Sequence, residues 1–190
     1  ALYSVISNGE PSFQPHQWLV IGGLEIRIGL MLNSLTAVML LVVTGVSLMV
    51  QIYSQGYMKG DSGYARYFAF MGLFSAAMLG LVLSSNIIQL YVMWELVGLG
   101  SYLLIGFWHH KPAATAAAKK AFLVTRVGDF GFLLAILYLF FNNAAFAEHG
   151  LNPLEIADIY KAVPLIEDGA LSALGGLGLT WVAVGIFFGA

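Results

Sequence analysis

The acidic residue Glu95 lies inside an otherwise apolar or weakly polar run that extends from about residue 87 to residue 108. About 20 helical residues cross a hydrocarbon core of roughly 30 Å, so this run is long enough to span a membrane. A charge at the centre of such a helix costs roughly 2.5–3.5 kcal/mol on insertion scales, which makes an ionisable residue there a functional candidate by default. At helical spacing Glu95 shares a face with Tyr91, Gly98 and Tyr102. These residues indicate either a functional acid or a neutral one that hydrogen-bonds a neighbouring helix.

A second group of charges occurs in the next apolar segment. Arg126 and Asp129 are three residues apart, so they are neighbours on one helix face and can form an ion pair. The pair can take part in ion conduction, or it can neutralise itself so that the helix inserts, and the residues leave both interpretations open. Lys119 and Lys120 precede the pair near the start of the segment. Their long side chains can reach the membrane surface, and this is the interpretation favoured for Lys119.

Proton transfer is the chemistry that such residues support. A proton that crosses a bilayer needs sites that accept and release it, and chains of these groups mark pumps and transporters. Desolvation raises the pKa of a carboxylic acid, while a nearby cation lowers it. Movement of a cation relative to Glu95 would therefore switch the proton affinity of its carboxylate. The sequence offers no obvious intramembrane lysine as the partner of Glu95.

The composition places the chain in a membrane. Of its 190 residues, 59% are hydrophobic and only 9% are charged, and the mean hydropathy is +0.84. A soluble domain could not cover itself with so few charges, so the sequence predicts an all-α, polytopic transmembrane helical bundle with about five spans. The net charge of −2 gives no nucleic-acid footprint. Because the chain has no cysteine, disulfides and iron–sulfur clusters are excluded within it.

Hydrophobicity divides the chain into four parts. Residues 1–28 are expected to form an extramembrane loop or hairpin, because residues 24–28 alternate with period two. Residues 29–140 should form four transmembrane helices, at about 29–52, 67–84, 87–108 and 113–140. Residues 141–169 are expected to form a long acidic loop, in which residues 153–160 suit a short amphipathic surface helix. Residues 170–190 suit a fifth, truncated span, so the chain is expected to be part of a longer protein.

The distribution of lysine and arginine predicts the orientation in the membrane. Positive residues occur in the 53–66 loop and in the 109–120 segment, which two spans place on the same side. The 84–86 turn has no positive residue, and the 141–169 loop has one lysine against five acids. We therefore expect Lys59 and Lys111 to face the cytoplasm, and Glu155 to face the opposite side.

Two smaller patterns concern metal binding and helix packing. His109 and His110 are adjacent and would point to different faces of a helix, so we expect no metal site there. Gly185 and Gly189 have the small-xxx-small spacing that is typical of close contact between transmembrane helices.

Two long motifs carry a resemblance to a known family. Residues 93–108 (MWELVGLGSYLLIGFW) are similar to the glutamate-helix motif of the antiporter-like proton-channel subunits of complex I, and residues 120–131 (KAFLVTRVGDFG) to the following helix. Residues 64–70 (YARYFAF) and 78–86 (MLGLVLSSN) also match, in the right order. This family includes subunit 5, or L, of NADH:quinone oxidoreductase and its counterpart in the photosynthetic NDH-1 complex. The resemblance is strong over residues 28–140.

The resemblance implies roles for particular residues. Glu95 corresponds to the family's essential proton-channel glutamate, and Lys120, Arg126 and Asp129 correspond to polar positions that take part in proton translocation. The implied fold is a larger bundle of inverted repeats, each with a broken helix. Residues 29–140 would then be four transmembrane helices in the front part of the first half-channel, with further helices on both sides.

The resemblance also implies an activity and partners. The chain would be a membrane subunit of a proton-translocating NADH (or ferredoxin):quinone oxidoreductase, without a redox cofactor of its own. Its partners would be other membrane-arm and peripheral subunits, in a bacterial inner membrane or alternatively a thylakoid membrane. The large subunit of a multisubunit sodium/proton antiporter, which shares the glutamate motif, is the alternative. A third possibility is a structural membrane subunit with no conducting role.

Two departures from the family pattern bear on the mechanism. Asn33 stands where many members carry an aspartate, which removes a charge from the start of the first span. The partner lysine of the family follows a stretch like residues 185–190, and the sequence ends before that position.

Overall fold

The computed structural model describes residues 16–21, 24–167 and 178–189. The described part of the chain begins with two strands, β1 (His16–Ile21) and β2 (Leu24–Ile28). Seven helices follow in the described part of the chain: α1 (Ser34–Tyr57), α2 (Tyr64–Val82), α3 (Ile87–Ile105), α4 (Pro112–Phe141), α5 (Asn143–Ala147), α6 (Ile156–Glu167) and α7 (Gly178–Gly189).

Four of the helices, α1 to α4, are long and apolar enough to cross a membrane. They contain 24, 19, 19 and 30 residues, and at 1.5 Å per residue even the shorter ones rise about 28 Å. Large apolar side chains on α1 are widely exposed, for example Met49 and Leu41, as a lipid-facing surface requires. The prediction of a polytopic helical membrane protein is confirmed. Of the fifth predicted span, the structure describes only the 12 residues of α7, and residues 170–177 lie outside the described part.

The hairpin predicted before the first span is also confirmed. Strands β1 and β2 pair antiparallel, with His16 opposite Ile28 and Ile21 opposite Leu24. The register shifts between Gln17 and Leu19, where one extra residue forms a bulge.

Local sequence signals determine where the long helices begin. Asn33 is the N-cap of α1, since its side-chain oxygen accepts hydrogen bonds from the backbone N–H and the hydroxyl of Thr36, both at 2.8 Å. The asparagine that departs from the family pattern therefore has a structural role. Helix α3 ends at Ile105, three residues earlier than predicted. Pro112 is the first residue of α4 rather than a residue before it, a position that tolerates the missing N–H of proline.

The chain divides into two compact units, and the described part of the first consists of residues 31–83 and 92–123. In this unit α1 and α2 are joined by hydroxyl groups: Ser47 Oγ lies 2.8 Å from Ser75 Oγ, and Ser54 Oγ lies 3.1 Å from the Tyr67 hydroxyl. Such bonds satisfy polar side chains in a segment where lipid offers them no partner.

The described part of the second unit consists of residues 16–30 without 22 and 23, 84–91, 124–167 and 178–189. Glycines bring α4 and α7 together in it. A Cβ atom at Gly185 would lie 2.9 Å from the Gly131 carbonyl oxygen, and one at Gly189 would lie 3.2 Å from the Gly128 carbonyl oxygen. The close helix contact predicted from the spacing of Gly185 and Gly189 is thus confirmed.

The acidic segment that follows α4 contains the helices α5 and α6. The amphipathic helix expected at residues 153–160 lies at Ile156–Glu167 instead. Glu155, grouped with the exposed acids in the sequence, is buried with 8% of its surface accessible. Glu148, in the same segment, is exposed.

The orientation stays a prediction that labelling can test. We expect a cysteine at Lys59, which is exposed, to react with an impermeant thiol reagent from the cytoplasmic side. A cysteine at Glu148 should react only from the opposite side, because the positive residues are on the cytoplasmic side. The exposed Glu148 replaces Glu155 as the reporter, since a buried cysteine would not react from either side. Labelling of both positions from one side of sealed vesicles would contradict the orientation.

Candidate functional site

Glu95 lies at the middle of α3, the ninth of its 19 residues. It is therefore about 12 Å along the axis from the first residue of the helix. Its side chain is half-buried, and it takes part in a polar or electrostatic interaction. The structure thus places the predicted carboxylate at mid-depth in a helix of membrane-spanning length.

The start of α3 is held by hydrogen bonds from outside the helix. The Asn86 side-chain oxygen accepts the N–H of Ile88 at 2.7 Å, as an N-cap does. The Ile87 N–H donates to the Leu154 carbonyl at 2.9 Å, and the Ile156 N–H donates to the Ser85 carbonyl at 3.0 Å. These bonds fix the first residue of the helix that carries Glu95.

Close packing of α3 on α2 occurs on both sides of Glu95 along the helix. A Cβ atom at Gly80 would lie 2.7 Å from the sulfur of Met93, two residues before Glu95. A Cβ atom at Gly100, five residues after it, would lie 3.2 Å from the Phe74 side chain. Small residues allow the two backbones to approach, and such contacts are what drives helix association in lipid. The position of Glu95 is therefore defined by its helix neighbours.

The structure confirms the ion pair predicted on the next helix. The Arg126 guanidinium donates to the Asp129 carboxylate at 3.3 Å. The Asp129 side chain is 6% exposed and that of Arg126 is 28% exposed, and both take part in further interactions. Asp129 lies between Gly128 and Gly131, which both contact α7. The pair therefore lies where α4 packs against α7, and the arginine provides the counter-charge that a buried carboxylate requires.

Lys119 and Lys120 lie in the first third of α4 and are exposed. Exposure near the end of a span is what snorkelling lysines show. Glu95 and Lys120 belong to the first compact unit, whereas Arg126 and Asp129 belong to the second. Of the four predicted site residues, the structure describes Arg126 and Asp129 as direct partners.

A buried acid that sequence reasoning missed lies in the second unit, outside the spans. Glu155 pairs through its backbone with Asn86, which is fully buried. Glu155 Oε1 and the Ser85 hydroxyl are buried without a hydrogen-bond partner in the described part of the chain. Burial raises the pKa of the Glu155 carboxyl, against the opposing effects of the Asn86 amide and the Arg27 guanidinium. The fold therefore makes loss of the Glu155 proton less favourable than it is in the unfolded chain.

The burial of Glu155 was only partly predictable from the sequence. Asn86 directly precedes an apolar run, and Glu155 directly precedes the amphipathic pattern of α6, so each could be placed at a helix start. Their contact joins distant parts of the chain, which local patterns do not reveal.

Taken together, the four span-length helices define a polytopic membrane protein, and α3 and α4 carry charged residues within the span. Residues 18–68 match the family described as NADH-Ubiquinone oxidoreductase (complex I), chain 5 N-terminus. Residues 84–190 match the family described as NADH:quinone oxidoreductase/Mrp antiporter, TM. Because the second match covers more than half of the chain, the protein belongs to this family of NADH:quinone oxidoreductase and Mrp antiporter membrane domains.

Curated relatives agree with this assignment. The chain is 53% identical over 146 residues to the chloroplastic NAD(P)H-quinone oxidoreductase subunit 5 of Mesostigma viride, covering 76% of this chain and 22% of the relative. It is 49% identical over 130 residues to NAD(P)H-quinone oxidoreductase chain 5 of Synechocystis sp., covering 68% and 19%. The chain thus spans about a fifth of the length of the curated relatives it matches.

Solved structures show the same fold. The Mrp complex from Dietzia sp. DQ12-45-1b aligns with a TM-score of 0.61 at 31% identity, covering 73% of this chain and 15% of that chain. The membrane-bound sulfane sulfur reductase, an archaeal respiratory membrane complex, aligns with a TM-score of 0.62 at 16% identity, covering 99% and 26%. The second likeness concerns the fold alone.

The Arg126–Asp129 pair makes a prediction for mutants. We expect Arg126→Ala and Asp129→Ala each to lower stability, by up to about 3–5 kcal/mol, because each removes one partner of a largely buried ion pair. The double variant should lose less than the sum of the two. The measurement is the yield and thermal stability of the purified protein for all three variants. Additive losses would show that the two side chains are not coupled.

The buried Glu155 predicts a pH dependence of stability. Because the folded protein raises the pKa of Glu155 above its unfolded value of about 4.5, the folded state binds more protons between those two values. The stability that this group contributes is therefore present below the unfolded pKa and is lost as pH rises through the folded pKa. Glu155→Gln should remove that loss, whereas Glu148→Gln should not. Thermal unfolding from about pH 5 to about pH 8 tests this, and parallel profiles for wild type and Glu155→Gln would contradict it.

Proposed function

We infer that the protein is a proton-translocating membrane subunit of an NADH (or ferredoxin):quinone oxidoreductase, in which quinone reduction drives proton pumping. The observation that carries this inference is Glu95, a carboxylate at the middle of α3 in a chain of this family. Relatives at about 50% identity are NAD(P)H-quinone oxidoreductase subunits, which supports the quinone oxidoreductase as the enzyme.

Glu95 is the proposed proton carrier. A half-buried carboxyl in a span has a proton affinity that responds strongly to its surroundings, because desolvation favours the neutral acid and a cation favours the carboxylate. Approach or withdrawal of a cation would therefore release or take up the proton. The cations of α4 are Lys119, Lys120 and Arg126, and the two lysines belong to the same unit as Glu95.

Arg126 and Asp129, on α4, are proposed as further polar residues of the proton pathway. A paired arginine can release its carboxylate partner when another negative charge approaches, so the pair can respond to the protonation state of neighbouring groups. The salt bridge at 3.3 Å supports this role, since a paired charge is stable in the bundle until such a change occurs.

Electron transfer is proposed to belong to other subunits. The chain would act with membrane-arm and peripheral subunits of a respiratory or photosynthetic complex, in a bacterial inner membrane or a thylakoid membrane. Its own contribution would be to hold and move protons at carboxylates, without a redox cofactor.

A multisubunit sodium/proton antiporter is the second candidate, because the Mrp complex from Dietzia sp. DQ12-45-1b shares the fold at 31% identity. The higher identity to subunit 5 proteins favours the quinone oxidoreductase. Co-purification of quinone-dependent redox subunits would support the first function, and their absence from an active antiporter complex would support the second.

The proposal predicts the effect of replacing Glu95. Glu95→Gln keeps the size of the side chain but cannot carry an acidic proton, so protons pumped per electron should fall by at least about tenfold. Glu95→Asp should keep partial pumping, because water can bridge the distance lost with one methylene. The measurement is proton pumping in vesicles that contain the assembled complex, with Glu148→Gln, an exposed carboxylate outside the spans, as the control.

Assembly is checked separately, by subunit composition and by the electron-transfer activity of the redox module. Full pumping by an assembled Glu95→Gln complex would show that Glu95 only contributes to helix packing, and would contradict the proposed function.

A further inference from the structure

A basic cavity lies at one end of the helices of the first unit. It has a volume of about 520 Å³ and is lined by residues from two segments, 61–66 and 108–111. These segments connect α1 to α2 and α3 to α4, and Arg66 lies in the first turn of α2. The cavity is therefore at the level where spanning helices leave the membrane.

The charges that line this cavity are mostly positive. Arg66 and Lys111 carry positive charges, and His109 and His110 also line the cavity. Asp61 is the acid among the lining residues, and its oxygens accept the Gly63 N–H at 2.7 Å and the Trp108 indole N–H at 3.2 Å. With the two histidines neutral the lining is still net positive, so it attracts an anion.

The two cations are held in place. The Arg66 guanidinium donates to the Phe107 carbonyl at 3.3 Å and lies 5.0 Å from the centre of the Phe107 ring. The Lys111 ammonium lies 4.6 Å from the centre of the Trp108 ring. Cation–π contacts of this length orient a cation without neutralising it. The charges therefore remain available to an anionic ligand.

An apolar groove adjoins the basic cavity in the same unit. It has a volume of about 230 Å³ and is lined by α2, α3 and α4 through side chains such as Phe70 and Leu103. Arg66 and His109 line both spaces. The combined site thus has a charged end at the helix termini and an apolar end between the helices.

We propose that this site binds an anionic phospholipid, with its phosphate between Arg66 and Lys111 and the upper part of an acyl chain in the adjoining groove. Basic sites between transmembrane helices recognise lipid headgroups by charge. A free phosphate would use the cations but not the groove, and a neutral lipid would use the groove but not the cations. The arrangement of both features fits an anionic lipid.

The test is photolabelling of the intact complex in lipid nanodiscs with a phosphatidylglycerol whose acyl chain carries a photoreactive group. We expect labelled peptides that contain Phe70 or Leu103, and little labelling there by the matched phosphatidylcholine. Each cation near a membrane surface contributes about 1 kcal/mol, so the double variant Arg66→Gln/Lys111→Gln should bind the lipid roughly 30-fold more weakly.

The control is Lys59→Gln, which removes an exposed cation of the α1–α2 connection that does not line the cavity. It should leave the labelling unchanged.

Two further variants keep the test decisive if the double variant assembles poorly. Arg66→Lys retains the charge and should retain labelling, and Lys111→Gln alone should weaken it about fivefold. Equal labelling by phosphatidylcholine, or labelling that is insensitive to all of these variants, would overturn the proposal. Displacement of the lipid by inorganic phosphate would assign the site to a free anion instead. Crosslinking of the site to another subunit would assign it to a protein partner, and either result would also overturn the proposal.

Discussion

The cost of placing a charge in hydrocarbon is the constraint on which this structure depends. Within a span every polar group must find its partner inside the protein, because lipid supplies none. The negative charge of Asp129 is compensated by Arg126 on the same helix at 3.3 Å. The half-buried Glu95 side chain takes part in a polar or electrostatic interaction. A carboxylate at mid-span makes insertion of the helix less favourable. Such residues are therefore rare in membrane proteins, and those that occur mark ion pathways.

The same constraint explains how the helices are held together. Apolar surface gains little from leaving lipid for protein, so close backbone contact has to provide the association. Gly80 and Gly100 provide it between α2 and α3, on either side of Glu95, and Gly131 and Gly185 provide it between α4 and α7. The contacts that stabilise each unit therefore also define the positions of its acidic side chains.

Local patterns were enough to predict the features that depend on neighbouring residues. The spans follow from continuous hydrophobicity, and the Arg126–Asp129 pair follows from i, i+3 spacing. The burial of Glu155 could not be predicted, because it depends on backbone pairing with Asn86 across a long stretch of chain. The early end of α3 at Ile105 also escaped prediction, since the apolar run continues to Trp108 while the backbone leaves the helix to reach Pro112. The roles of Glu95, Lys120, Arg126 and Asp129 in proton transfer remain predictions from chemistry and resemblance.

Infrared difference spectroscopy of the assembled complex during turnover tests the central claim most directly, because a carboxylic acid that gains or loses a proton changes its carbonyl stretching band. If Glu95 carries the proton, the difference spectrum will contain such a band, the band will shift in deuterated water, and it will be missing from Glu95→Gln but present in Glu155→Gln. A band that is unchanged in an assembled, electron-transferring Glu95→Gln complex would show that Glu95 does not carry the proton.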